Sequence, residues 1–167
     1  MTKNHYHLEN NKLTLIVKPS PVFIRALLFI ISFSLFILPL LGLINYISEG
    51  KGIHAGFFVG VFIFGLLGFY LLRVALWNSC GKEELVFSKN QCTYVANYGW
   101  FEDRIKTKPF DTISFGKNPV GYLEDHNYTL VIEDFIDDNK IICVTKMSET
   151  ELEKLIRELR VKLTNIV

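Results

Sequence analysis

ALLFIISFSLFILPLLGLINYIS (residues 26–48), EGKG (49–52) and IHAGFFVGVFIFGLLGFYLL (53–72) decide the fold. From Ala26 to Ser48 there is no Asp, Glu, Lys, Arg or His, and from Gly52 to Leu72 the titratable groups are His54 and Tyr70. Each run exceeds the roughly 18 apolar residues that mark a spanning helix, and at ~1.5 Å per residue each reaches about 30–35 Å. The break between them, Glu49-Gly50-Lys51-Gly52, is too short to cross a bilayer, so the two helices are expected to be antiparallel neighbours, with spans at about 22–48 and 53–77.

Outward from this hairpin lie an N-terminal segment (1–21) and a longer C-terminal part (79–167), with 22–78 as the hairpin itself. The tail is large enough to bury one modest core. The first apolar run follows a polar segment, is too long for a signal-peptide core and lacks a small-x-small cleavage site, so it is expected to be retained. Lys12, Lys18 and Arg25 flank the first span on its N-terminal side, and Arg73, Lys82 and Lys89 flank the end of the second. The turn has only Lys51, offset by Glu49. This asymmetry puts both termini in the cytoplasm of a multi-pass protein. A net charge of +1 gives no nucleic-acid footprint. Cys80, Cys92 and Cys143 are odd in number and widely spaced, which argues against a disulfide framework and a zinc site.

Within the hairpin, Pro39 is expected to kink the first helix or end it early, its freed carbonyl served by Ser34, Ser32 or the neighbouring helix. Asn45 and Tyr46 suit the outer interface. Gly56 and Gly60 make a GxxxG step, with Gly65 and Gly68 further along the same helix. Small residues let two backbones approach in lipid, and two uses stay open: packing on the first span, or a seam for a homo-oligomer or partner helix. Phe57, Phe58, Phe62, Phe64 and Phe69 read as packing residues. Arg73 and Trp77 read as anchors at the cytoplasmic interface.

Outside the hairpin the period is 2. Leu13 to Val17 reads as a strand ended by Pro19 and Pro21, and since a lone strand leaves its edges unpaired it is expected to join the C-terminal sheet. Glu84–Ser88, Cys92–Ala96, Trp100–Thr107 and Asp111–Phe115 read as further strands, and Pro109 as a break. Gly116–Asn127 reads as a loop with a strand at Val120–Leu123, and Tyr128–Glu133 with Lys140–Thr145 as a hairpin around Asp137-Asp138-Asn139. Ser148-Glu149-Thr150-Glu151 is a capping box, followed by a stripe of Leu152, Leu155, Ile156, Leu159 and Leu163 on an amphipathic helix spanning 148–165.

Over residues 80–165 this succession of about seven short strands and a closing helix, behind a two-span hairpin, resembles the bacterial pleckstrin-homology-like membrane proteins. The resemblance rests on Glu84-Leu85-Val86-Phe87, Tyr94-Val95-Ala96-Asn97-Tyr98-Gly99-Trp100-Phe101, Ile105 to Phe115, and Ile141-Ile142-Cys143-Val144 with its helix. In that family a strand, a glycine-containing turn and another strand lead into a segment like Pro109-Phe110-Asp111-Thr112-Ile113. The resemblance implies a compact half-open barrel capped by the helix, in the bacterial cytoplasmic membrane, with a binding or assembly role. The expected fold class is therefore α+β: an antiparallel two-helix transmembrane hairpin, then a small PH-like β-barrel or sandwich with a C-terminal amphipathic helix.

No nucleophile elbow, P-loop, dinucleotide fingerprint, HExxH or kinase motif occurs. His5 and His7 lack a third ligand, and Asp134, Asp137, Asp138 and Asn139 lack calcium-loop spacing, so a polar tail and a solvated turn are expected there. His54 reads as a surface histidine at a helix start. Glu102, Asp103 and Arg104 read as a solvated strand face. The surface to single out is Trp100, Phe101, Arg104, Lys106 and Lys108, where aromatics beside cations suit an anionic leaflet or a protein. Trp100 and Phe101 would point to opposite faces of a strand, one of them into the core. The expectation is a non-enzymatic membrane-anchored module, without cofactor, that binds a protein partner or a lipid headgroup. The alternative is an immunity protein against a membrane-acting toxin, its glycine seam clasping a toxin helix. An enzyme would show a polar cluster with perturbed pKa values and a transporter buried intramembrane charges; the sequence points to neither.

Overall fold

The computed structural model describes residues 5–50, 52, 54–110, 112–121, 126–134 and 139–163. Among them the chain is α+β, with two long apolar helices, two antiparallel sheets and a C-terminal helix. It divides into two compact units. One is the hairpin, Pro19–Ser79; the other joins Met1–Lys18 to Cys80–Val167.

The hairpin consists of α1 (Val22–Ser48) and α2 (Ala55–Cys80), 27 and 26 residues long, both long and apolar enough to cross a membrane. Pro21 stands at the N-cap of α1, where the missing N–H costs nothing. At the other end Gly50 takes φ +73°, and its N–H donates to the Ile47 carbonyl, closing the helix in the left-handed turn that glycine favours. Pro39 does not end α1. The hydroxyls of Ser34 and Ser32 donate elsewhere, to the carbonyls of Ile30 and Gly68, each at 2.8 Å. Contacts among the described residues join the two antiparallel arms of the hairpin. Ser20 donates to the Asn78 side chain (2.8 Å), Ser32 to Gly68, and the Tyr46 and Phe57 rings lie 4.5 Å apart. Leu38, Phe58 and Phe62 are each more than 60 % exposed, which water would oppose and lipid would not.

In the other unit, β1 (Tyr6–Glu9) and β2 (Lys12–Ile16) form a hairpin whose second strand pairs with β3 (Lys82–Ser88). β4 (Gln91–Asn97) and β5 (Glu102–Pro109) complete a five-stranded sheet in the order β1-β2-β3-β4-β5. The second sheet has β6 (Ile113–Pro119) and β8 (Lys140–Ile142) on β7 (Asn127–Asp134), to which β9 (Met147–Ser148) also pairs. α3 (Glu149–Leu163) packs on β6, β7 and β9. Alternation explains the core of the first sheet: Leu13 and Leu15, Leu85 and Phe87, Cys92, Tyr94 and Ala96 are buried, with half-buried residues between most of them. Thr129–Ile132 of β7 is buried without alternation, because both faces of that strand are covered. The Phe87 and Phe115 rings meet edge to face (6.2 Å) across the two sheets.

Several expectations change. Gly116–Pro119 is strand β6, paired through Gly116 and Val131, so the expected loop is much shorter; Tyr122 and Leu123 lie outside the described residues. Pro109 is the last residue of β5. The capping box is half formed: the Ser148 hydroxyl accepts from the Glu151 N–H (3.4 Å), but the Glu151 carboxylate accepts from the His5 N–H (3.1 Å). Leu152, Leu155, Ile156 and Leu159 of the α3 stripe are buried.

Candidate functional site

β5 is the outer strand of the first sheet, and its register sets the site. Cys92 lies opposite Lys108 and Tyr94 opposite Lys106, so those lysines leave the ladder on the face that carries the core residues of β4. The register then slips: Ala96 lies opposite Asp103, leaving Arg104 and Ile105 both against Val95. This is a β-bulge, the device that re-aims a side chain at a sheet edge. Arg104 takes φ +55°, its N–H held by the Asp103 carboxylate at 2.6 Å. Ile105 is 65 % exposed.

Arg104, Lys106 and Lys108 line a pocket of about 150 Å³ together with Tyr94. Its other wall is β8 and the segment after it, with Lys140, Ile142 and Val144. The pocket thus lies where the edges of the two sheets face each other. Asn139 bridges that seam, donating to the Pro109 carbonyl (3.3 Å) and accepting from Lys108 Nζ (3.5 Å). Lys140 is ion-paired with Glu133.

Trp100 and Phe101 depart from expectation. They precede β5, in the turn where Gly99 has φ +87°, and neither enters the core. Trp100 is 66 % exposed; Phe101 is half-buried and stacks on Tyr98 at 4.9 Å. The strand reading fails because a tight turn has no alternation to separate the two rings.

Beneath the pocket lies Glu83, fully buried on β3. Its carboxylate accepts from the Tyr94 hydroxyl (2.7 Å) and from the Val144 and Thr145 N–H groups (2.7 and 2.6 Å). Those two amides follow β8 and have no strand there to pair with, so the side chain replaces a ladder. Burial, with the Glu83 charge and hydrogen bond, pushes the Tyr94 hydroxyl pKa well up. The sequence contains a signal for Glu83: the spacing Glu83, Leu85, Phe87 puts the glutamate on the core face.

In the hairpin, Gly68 packs closely on Phe36, where an added Cβ would come within 3.0 Å of the ring. Gly56, Gly60 and Gly65 have nothing in that space. Gly56 and Gly60 instead line a groove of about 520 Å³ between the helices, with Leu35, Pro39, Gly42 and Phe64. Packing on the first span therefore accounts for Gly68, and not for Gly56 and Gly60. Arg73 and Trp77 lie one turn apart and are half-buried. His7 Nε2 meets the Glu9 carboxylate at 2.7 Å, and Asp134 holds the Thr112 N–H (3.4 Å); Asp137 and Asp138 lie outside the described residues. Among the described residues no three His, Cys, Asp or Glu side chains converge on one point.

Set against protein-family models, curated proteins and solved structures, the chain matches none of them.

Proposed function

We infer that this chain is a membrane-anchored binding module with no catalytic role. The hairpin sits in a bacterial cytoplasmic membrane with both termini cytoplasmic, as the Lys and Arg distribution favours. The β unit, a PH-like domain, engages a protein partner or a lipid headgroup through the β5 surface. One observation carries this reading: an edge strand whose three cations line one pocket, beside exposed Trp100 and Ile105. Aromatic and aliphatic groups beside cations suit an anionic, partly apolar surface. The test places a photo-cross-linking residue at Trp100 or Ile105 of the full chain in native membranes. Adducts to lipid or to a discrete protein, absent when the residue stands at exposed Asn90, are the expected result. Equal adducts at all three positions would sink the reading.

A further inference from the structure

Cations on an edge strand normally point to solvent and discourage pairing with other chains. On β5 they lie on the face that carries the core of β4: Lys106 and Lys108 stand opposite Tyr94 and Cys92, Lys108 half-buried and Lys106 exposed. The bulge brings Arg104 to the same pocket at the expense of a left-handed backbone, and Lys140 enters from the opposite sheet. Among the described residues neither Arg104 nor Lys106 has an ion-pair partner, while Lys140 has Glu133. The Glu83 carboxylate accepts from the Tyr94 hydroxyl and the Val144 and Thr145 N–H groups, none of them one of the four cations. Like charges gathered in a recess raise the local potential, and an entering anion relieves their repulsion. The volume, about 150 Å³, is well above the ~15 Å³ that one water requires, and suits one small tetrahedral anion. A guanidinium fork with ammonium point charges is the donor set that a phosphate group prefers.

We propose that Arg104, Lys106, Lys108 and Lys140 form a binding pocket for a single phosphate group, dissolved or borne on a lipid headgroup. This rests on the binding-module reading and names its ligand chemistry. The full chain is placed in phosphatidylcholine nanodiscs and its lysines are acetylated under limiting reagent, with mass spectrometry reading each site. Inorganic phosphate should slow acetylation of Lys106, Lys108 and Lys140 at least about threefold relative to Lys89, with sodium chloride at equal ionic strength doing much less. Protection that appears only when phosphatidic acid is built into the disc assigns the phosphate to a headgroup; protection by dissolved phosphate assigns it to a soluble ligand. Arg104→Gln, whose folding is checked by unchanged Lys89 reactivity, should raise the phosphate concentration that half-protects Lys106 about tenfold. No selective protection in either arm, or protection indifferent to Arg104→Gln, overturns the pocket. Cross-links from Trp100 and Ile105 that persist in that case would leave the module reading standing, and their loss with protection intact would remove only that reading.

Discussion

Glu83 has no exposed surface, and its two oxygens take three hydrogen bonds, two of them from backbone amides. A glutamine there turns an amine toward at least one of those donors. With charged hydrogen bonds worth about 1.5–3 kcal/mol each, Glu83→Gln should lower stability by roughly 2–4 kcal/mol. Denaturant unfolding of the full chain in detergent measures this, and an unchanged midpoint would mean the carboxylate is not needed. The cysteines differ by the same logic of burial. Cys92 is pushed up to about 12 by desolvation and Cys143 is also raised, first by desolvation, while Cys80 is exposed. Because the thiolate is the nucleophile, a maleimide at pH 7.5 should modify Cys80 alone in the folded chain and all three after denaturation. Intact-mass analysis reads the count.

At the scale of elements, α2 has two kinds of glycine. Gly68 lies against Phe36 and its carbonyl takes the Ser32 hydroxyl, so Gly68→Val forces the helices apart at that contact. Gly60→Val adds a side chain where nothing stands within 4 Å. The first substitution should abolish disulfide cross-linking between cysteines introduced at Ser20 and Asn78 or reduce it severalfold, whereas the second should leave it intact. Equal effects would refute the division. β5 shows a comparable contrast, since Glu102, Asp103 and Arg104 read as one solvated cluster until the ladder and its bulge separate Arg104 from them and bring it to the pocket of Lys106 and Lys108.

For the molecule as a whole, the N-terminal hairpin is bound into the distal sheet and helix. Tyr6, on β1, donates its hydroxyl to Glu158 of α3 (3.0 Å), and Lys162 Nζ donates to the Leu8 carbonyl (3.0 Å). Burial, and next the Glu158 hydrogen bond, push Tyr6 up to about 12; Tyr94 is raised as well. Both must stay neutral in the fold, whereas in the unfolded chain they ionise near 10. The unfolded state thus loses protons first, so stability is intact below pH 10 and falls between about 10 and 12. Tyr6→Phe should remove part of that alkaline slope, which thermal melts across the range would resolve.

The two long apolar helices, their antiparallel arrangement, most strands and the amphipathic helix are legible from residue order alone, because hydropathy and period are local properties of the chain. Residue order also marked Arg104, Lys106 and Lys108 as worth attention. The folded chain adds that Gly116–Pro119 is a strand, that Trp100 and Phe101 sit in a turn, that Glu151 answers His5, and that the β5 cations share a pocket with Lys140. Each of these depends on register or on partners far along the chain. A shift of one residue in pairing reverses every face, and no local pattern of residue types encodes which distant strand will lie alongside.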